Sequence, residues 1–148
     1  MLPRIPVADI EVRVFAHATE DPDKVVEAVQ KILPEEHLDE INFRKRKLKG
    51  HYGNPIQLIQ AKIRKRKILE KILSKIAEKL SEIDKDLLSR EIDMHIDKGS
   101  LYLRFDKQAA LQDELRLQSA DPIHVRIKFR KERTEEIYEI CKKLGLVH

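Results

Sequence analysis

The stretch INFRKRKLKGHYGNPIQLIQAKIRKRK, residues 41–67, predicts a β-hairpin. An alternation of apolar and polar residues begins at Ile41 and runs into four consecutive cations, then breaks at residues 50–55, where two glycines and an Asn-Pro step require a loop. A second strand resumes at Ile56. Its candidates for the buried face are Ile59, Ala61 and Ile63. The sequence therefore predicts a hairpin whose tip and arms are positively charged.

Outside this hairpin, alternation with a period of two predicts three more strands. They cover residues 10–16, 101–105 and 123–129. In the last of them apolar side chains take the buried face. The opposite face is almost entirely cationic, because it carries His124, Arg126 and Lys128 and continues to Arg130.

Helical spacing of apolar residues predicts helices between the strands, the longest of them over residues 67–80. The N-cap candidates are Asp21, Ser81, Asp106 and Thr134, and the predicted stops are Pro34 and Gly145. Strands and helices alternate without a strict repeat, and no linker divides the chain. We therefore expect a single α+β domain over residues 1–148, with a mixed or antiparallel sheet that helices cover on one face only.

Composition indicates a globular protein of a reducing compartment. Of 148 residues, 41% are hydrophobic and 38% charged, which is too apolar for a disordered tail. Cys141 is the single cysteine, so an internal disulfide is impossible. Charges at Arg4, Asp9, Glu11 and Arg13 interrupt the apolar residues near the N-terminus, so neither a signal peptide nor a membrane span is predicted there. We expect a cytoplasmic protein with no membrane contact.

The charge is concentrated in one region. The net charge is +4, but the segment from Glu40 to Lys71 holds eleven Lys and Arg against two acids, a local +9 that leaves −5 for everything else. Residues 82–97 are in contrast acidic, and we expect that region to repel RNA. On a strand the run from Arg44 to Lys47 would place two cations on each face, which repel each other unless an anion lies nearby.

Such a basic surface is typical of proteins that bind phosphate groups and displace their counterions. The leading hypothesis is an RNA-binding module that combines the hairpin with the cationic strand face. Candidate RNA contacts are Arg44, Lys45, Arg46, Lys47, Lys49, His51, Tyr52, Asn54, Lys62, Arg64, Arg66, Arg104, Lys107, Arg116, Arg126, Lys128 and Arg130.

Several alternatives to these RNA contacts stay open. Cations beside the long helix could be a solvated face, and Arg104 and Arg116 could hold structural ion pairs. His51 and Tyr52 could stack on bases or simply be exposed. The hairpin could instead dock on an acidic partner, or on residues 82–97 of a second copy in a homodimer.

The sequence contains no recognisable catalytic constellation. It offers no nucleophile beside a base, no paired carboxylates in an apolar setting and no glycine-rich phosphate loop. The six histidines lack zinc-ligand spacing, and Cys141 falls on the apolar stripe of the last helix. We therefore expect neither enzyme activity nor a metal or other cofactor.

Four segments carry a resemblance to a known family: GHYGNP (50–55), LYLRFDKQAA (101–110), ELRL (114–117) and DPIHVRIKF (121–129). With these segments, nearly the whole chain resembles an archaeal family of predicted RNA-binding proteins that is often described as exosome-associated. Tyr52 stands where that family's motif commonly has a second histidine. The resemblance implies a fold like that of double-stranded-RNA-binding domains or ribosomal proteins, with RNA as ligand. It further implies a non-catalytic accessory role in RNA processing or ribosome biogenesis, beside exosome or ribosomal components.

Overall fold

The predicted strands form one six-stranded sheet in which every neighbouring pair is antiparallel, as seen in a computed structural model that describes residues 6–148. Arg4, one of the charges near the N-terminus, lies outside the described residues. The strands are β1 (Val7–His17), β2 (Arg44–Lys49), β3 (Pro55–Ile63), β4 (Ile96–Asp97), β5 (Ser100–Phe105) and β6 (Ile123–Phe129). Their order across the sheet is β2-β3-β1-β6-β5-β4. The predicted α+β class with an antiparallel sheet is therefore confirmed, while the two-residue β4 was not predicted.

Six α-helices and one 3₁₀ helix accompany the sheet in the described residues. They are α1 (Pro22–Gln30), α2 (Arg66–Lys79), α3 (Glu82–Arg90), α4 (Ile92–His95), α5 (Lys107–Leu111) and α6 (Thr134–Leu144), with the 3₁₀ helix at Glu35–Glu40. Among residues 6–148, no helix combines the length and the apolar character that crossing a membrane would require.

The predicted helix caps hold with one exception. Asp21, Ser81 and Asp106 each accept a hydrogen bond from a backbone N–H in the first turn of α1, α3 and α5. Gly145 ends α6 with φ +81°, a left-handed conformation that glycine adopts without a steric penalty. The prediction for Thr134 is wrong, because Thr134 is the first residue inside α6 and the cap position before it makes no side-chain hydrogen bond.

The sheet buries one face. Along β1, Ile10, Val12 and Val14 are buried in the core with the apolar sides of the helices, whereas Arg13 between them is exposed. Register carries this division into the neighbouring strands, because Val12 lies opposite Ala61 of β3 and opposite Val125 of β6. On the other face, side chains are exposed or half-buried, apart from three that are buried: Asp9, Leu58 and Ser100. This second face is called the open face below.

Lys107 lies at the start of α5 and ties three distant segments together. Its ammonium group donates hydrogen bonds to the carbonyl oxygen of Phe15 (2.7 Å), Glu20 Oε1 (3.0 Å) and Asp121 Oδ2 (2.9 Å). His17 Nε2 lies 2.9 Å from the other oxygen of Asp121. Burial alone would raise the pKa of Asp121, but the hydrogen bonds from Lys107 and His17 outweigh burial and lower that pKa.

The prediction that Lys107 contacts RNA is therefore wrong. Its side chain is buried, and all three of its N–H donors have partners inside the protein. No donor remains for a phosphate group.

Replacing Lys107 by Met should lower the free energy of unfolding by about 3 kcal/mol, because the change leaves Glu20 and Asp121 without their cation in a partly buried setting. Urea denaturation of the two proteins measures this difference. Lys143→Met is the control, since Lys143 is exposed on α6 and makes no ion pair within residues 6–148. Equal unfolding midpoints for the two variants would show that the Lys107 network contributes nothing to stability.

Candidate nucleic-acid interface

The hairpin of β2 and β3 forms one edge of the sheet and presents its cations on both sides. Arg44 and Arg46 lie opposite Gln60 and Leu58, so they point to the open face, whereas Lys45 lies opposite the buried Ile59 and points to the helical side. Lys47 follows Lys45 on that side. All four side chains are exposed, and none makes an ion pair in the part of the chain that the structure describes. The expected division into two cations on each face is confirmed.

The hairpin tip is a tight loop with two exposed rings. Gly53 adopts φ +77°, and the N–H of Gly50 donates to the carbonyl oxygen of Asn54. Asn54 also packs directly on Gly50, where an added Cβ would overlap the Asn54 side chain. Tyr52 is 92% exposed and meets His51 edge to face, with 5.0 Å between ring centroids. Both rings are therefore available to a ligand at the tip, and Lys49 is exposed at the end of β2.

At the base of the hairpin a cleft of about 530 Å³ is bordered by Arg44, Lys62 and Arg64. Lys65 also borders it, but its ammonium lies 2.9 Å from Glu40 Oε1. Hydrogen bonds from His37 and then from Lys65 lower the pKa of Glu40 to about 2, so this carboxylate stays charged and compensates Lys65. Among the described residues, Arg44, Lys62 and Arg64 make no ion pair, although Glu11 also borders this cleft and lies opposite Lys62.

The cations continue into the first turn of α2. Arg66 donates from Nε to Glu70 Oε1 at 3.2 Å and is otherwise exposed. The first turn of α2 contains no acidic residue, and its cap makes no side-chain hydrogen bond. Cations at a helix N-terminus oppose the helix dipole, so this arrangement adds to the electrostatic cost that an anion would relieve.

The open face joins the hairpin to the far strands through one row of residues that crosses five strands. Strand pairing places Arg104 beside His124, His124 beside Arg13, Arg13 beside Gln60, and Gln60 beside Arg44. We call these five residues the cationic row. Within residues 6–148, none of its three arginines makes an ion pair. His124 or Gln60 separates each arginine from the next, so the arginines lie two strand spacings, about 10 Å, apart. Their positive charges add along the row and attract anions.

The surroundings of His124 in this row lower its pKa. Burial is the main cause that lowers its pKa, and the positive charges of Arg13 and Arg104 lower it further, against a smaller opposite effect of Asp121. The imidazole is therefore held neutral near pH 7, which limits the repulsion inside the row.

The sequence analysis missed Arg13 as a site residue, and it did not include His124 or Tyr102 in the candidate contacts. The alternation over residues 10–16 does place Arg13 on the polar side of its strand. What the chain alone does not reveal is that β1 lies between β3 and β6, which brings Arg13 into line with Arg104 and Arg44.

The predicted contacts of β6 reach the same open face. Arg126 is held by Asp9, with 3.1 Å between Arg126 Nη2 and Asp9 Oδ1, and its Nε is buried without a hydrogen-bond partner in the described structure. Lys128 is exposed opposite Asp9, and Arg130 is exposed just beyond the strand. These residues extend the basic surface away from the hairpin.

Arg116 lies apart from that surface. Its segment runs beside β5 on the edge of the sheet opposite β2, where Leu117 bridges to Phe105. Arg116 Nη2 lies 2.9 Å from Glu114 Oε2, in a cleft that Asp84 also borders. The structural alternative for Arg116, an ion pair, is therefore the one observed, whereas Arg104 has no such partner in the described residues.

A thiol and a cluster of metal-ligand atoms lie away from the open face. Burial raises the pKa of the Cys141 thiol to about 12, so it remains protonated and packs as an apolar residue. His17, Glu20 and Asp121 place three possible metal-ligand atoms within 4.8 Å of one another. The ammonium of Lys107 already bonds both carboxylates, so this donor set is arranged around an internal cation.

Comparison with known proteins matches residues 9–129 to the model of a family described as RNA-binding. The chain belongs to this RNA-binding family. It is 36% identical over 133 residues to the RNA-binding protein PAB1135 of Pyrococcus abyssi, covering 88% of this chain and 86% of that protein. It is 32% identical over 146 residues to the uncharacterized protein MJ0213 of Methanocaldococcus jannaschii, covering 92% and 97%.

Solved structures of family members share the fold. Protein AF2318 of Archaeoglobus fulgidus superimposes with a TM-score of 0.79 at 29% identity, covering 93% of this chain and 99% of that one. Protein SSO0741 of Sulfolobus solfataricus gives a TM-score of 0.69 at 28% identity, covering 93% and 97%. The relatives named here are archaeal, which agrees with the resemblance found in the sequence.

The environment of His124 predicts a pH dependence of stability for this family member. The folded chain resists protonation of His124, whereas the unfolded chain accepts the proton at an ordinary imidazole pKa near 6.5. The unfolded state therefore binds more protons as the pH falls, and the free energy of unfolding should decrease between pH 7.5 and 5.5. His124→Gln should reduce this decrease in urea titrations, and His51→Gln at the exposed tip should leave it as in the parent. The prediction fails if the His124→Gln protein loses as much stability as the parent over that range.

Proposed function

We propose that this chain is a non-catalytic RNA-binding protein that holds RNA phosphates with its basic hairpin and the adjoining open face. The observation that carries the proposal is the exposed run from Arg44 to Lys47, which has no compensating acid within the described residues. An anionic polymer along this edge would relieve the repulsion among these cations and release counterions. The family's description and the name of the relative PAB1135 support RNA as that polymer.

The proposed contacts are the predicted residues that lie on this surface. They are Arg44, Lys45, Arg46, Lys47, Lys49, His51, Tyr52, Asn54, Lys62, Arg64, Arg66, Arg104, Arg126, Lys128 and Arg130, joined by Arg13. Most of these side chains would contact phosphates and so bind many sequences with similar affinity. Lys107 and Arg116 are left out because the first is buried and the second lies at the other edge.

The proposal includes a cellular role. The resemblance points to an accessory factor in RNA processing with the exosome, or in ribosome biogenesis. A cytoplasmic location is proposed because the sequence has a single cysteine, which suits a reducing compartment. Binding without cleavage suits such a factor, which would position RNA or protein components for other machinery.

A second candidate function is docking on an acidic protein surface. It is favoured by the α3–α4 region, where the acidic Glu82 and Asp86 accompany the strongly exposed Ile83 and Met94. The hairpin of a second copy is opposite in charge to this region, so a homodimer would use complementary surfaces. Such a contact should weaken as salt is added.

Changing Arg44, Lys45, Arg46 and Lys47 to Gln should weaken RNA binding while the fold is retained, because all four side chains are exposed. Each lost phosphate contact should flatten the dependence of log affinity on log salt by about 0.7 for single-stranded RNA, so two to four lost contacts amount to about 1.5 to 3. Fluorescence anisotropy across a salt series measures the slope, and circular dichroism checks folding.

The two faces of β2 provide a matched comparison. Arg44→Gln/Arg46→Gln and Lys45→Gln/Lys47→Gln each remove two charges from one strand, but from opposite sides. If RNA lies on the open face, the arginine pair should cost more affinity than the lysine pair, and Lys142→Gln/Lys143→Gln on α6 should cost least. Equal losses from all three pairs would indicate diffuse attraction without a site. Unchanged RNA binding by the fourfold variant would favour the docking alternative.

Purified protein should leave labelled RNA intact over long incubation, with or without added Mg²⁺ or Mn²⁺, because the proposed contacts are mostly cations and the three-ligand cluster of His17, Glu20 and Asp121 is already bonded by the ammonium of Lys107. Gel electrophoresis of the RNA measures this. Cleavage that copurifies with the protein and disappears on changing one residue of the open face would overturn the non-catalytic assignment.

A further inference from the structure

The open face contains a cleft at some distance from the hairpin. It measures about 390 Å³ and lies among β1, β6 and β5. Its side-chain lining consists of Glu11, Arg13, Tyr102, Arg104, His124 and Arg126. We call it the sheet cleft. Its volume falls in the range of sites that hold small ligands. Its lining combines one aromatic ring with three arginines, one histidine and one carboxylate, Glu11, which lies opposite Arg126.

Tyr102 is the unusual member of this lining. It lies on β5 opposite Arg126 and is 41% exposed. This exposure is unusual, because a tyrosine ring contributes most to stability when it is buried. The strand places it on the open face between Ser100 and Arg104, and the helices lie on the other side of the sheet. An aromatic ring held on a rigid strand among cations is a suitable platform for a planar base.

The arginines around Tyr102 differ in whether they have an ion-pair partner. Arg126 is compensated by Asp9, so it forms a fixed wall of the cleft. Arg13 and Arg104 flank the half-buried His124 on neighbouring strands and have no ion-pair partner in residues 6–148. Because β1 and β5 lie two strand spacings apart, the backbones of these two arginines are separated by about 10 Å. A phosphate group between them would be reached by two long side chains.

We propose that the sheet cleft binds one nucleotide of single-stranded RNA, with its base stacked on Tyr102 and its phosphate contacted by Arg13 and Arg104. This inference rests on the proposed function and adds the substrate class, since the bases of a duplex stack on one another and do not present their faces to a protein ring. The cationic row would then guide the RNA from the sheet cleft to Arg44. Four strand spacings separate β5 from β2, so the backbones of Arg104 and Arg44 are about 19 Å apart. The cleft and the hairpin are two parts of one binding track.

Titration of a fluorescein-labelled, unstructured RNA oligonucleotide tests the stack. Tyr102→Ala should weaken binding about 5- to 150-fold, the cost of losing one base–aromatic stack, whereas Tyr102→Phe should bind as the parent does. The salt dependence should stay unchanged in Tyr102→Ala because no charge is lost. Arg13→Gln/Arg104→Gln should instead flatten the slope by about 1.4, which corresponds to two phosphate contacts. A blunt RNA duplex of the same sequence should bind all Tyr102 variants equally.

Photocrosslinking provides a readout that does not depend on a variant being folded. The parent protein is irradiated with the same oligonucleotide carrying 4-thiouridine, and peptide mass spectrometry should find the crosslink at Tyr102 or at its neighbours in the sheet cleft. Crosslinks confined to the hairpin would overturn the inference, as would equal affinities of Tyr102→Ala and Tyr102→Phe for the single strand.

The failure of this inference differs from the failure of the proposed function. If the parent binds single-stranded RNA and loses affinity in Arg44→Gln/Arg46→Gln but not in Tyr102→Ala, RNA binding stands and the sheet cleft does not. If the parent binds neither the single strand nor the duplex at low salt, both proposals are wrong. Preference of the parent for the duplex would keep the function and exclude the single-strand assignment.

Discussion

The register of β1 between β3 and β6 is the constraint on which the rest of the molecule depends. Val12 faces Ala61 on one side and Val125 on the other, so the alternation of three central strands stays in phase. A slip of one residue in either pairing would bring Arg13 to the core and send Val12 to solvent, which makes this register energetically well defined. The same register aligns Arg13 with His124 and Gln60. One set of backbone pairings therefore fixes both the core and the cationic row.

The charged edge strand has a structural explanation beside the functional one. Cations on an exposed edge discourage pairing with the edge of another sheet, and β2 is such an edge. Edge protection requires charged side chains on β2, but these side chains can lie on either face of the sheet. It also offers no reason for uncompensated arginines in the interior of the sheet, since Arg13 lies on the central strand β1. Edge protection thus accounts for part of the charge on the hairpin and for none of it at Arg13.

Local signals in the sequence predicted the longer strands and helices, but they predicted neither the short elements such as β4 nor the contacts between distant segments. Alternation located β1, β5 and β6, and the side chains of Asp21, Ser81 and Asp106 marked helix starts, because each of these features depends on neighbours a few residues away. Lys107 shows the limit. Its partners Phe15 and Glu20 are 92 and 87 residues distant, so a lysine that reads as a surface cation is an internal one. For Arg116 the sequence leaves RNA contact and an ion pair open for the same reason, because only the strand order reveals that its segment lies at the edge opposite β2.

The arginines of the cationic row differ from several cations of α2 and its N-cap in having no ion-pair partner among the described residues. On the helical side, Lys65 meets Glu40, Lys71 meets Glu36, and Lys79 meets Asp113. The chain has 26 acidic residues for 30 Lys and Arg, so partners were not scarce. Single surface ion pairs add little stability, and their absence from the cationic row costs little in the unbound protein. The same absence leaves the N–H donors of Arg13, Arg44 and Arg104 without an acidic partner among the described residues, and an RNA phosphate would accept hydrogen bonds from them. The strand order brings the three arginines of the cationic row into line, so at this row the fold, and not composition alone, favours an anionic ligand.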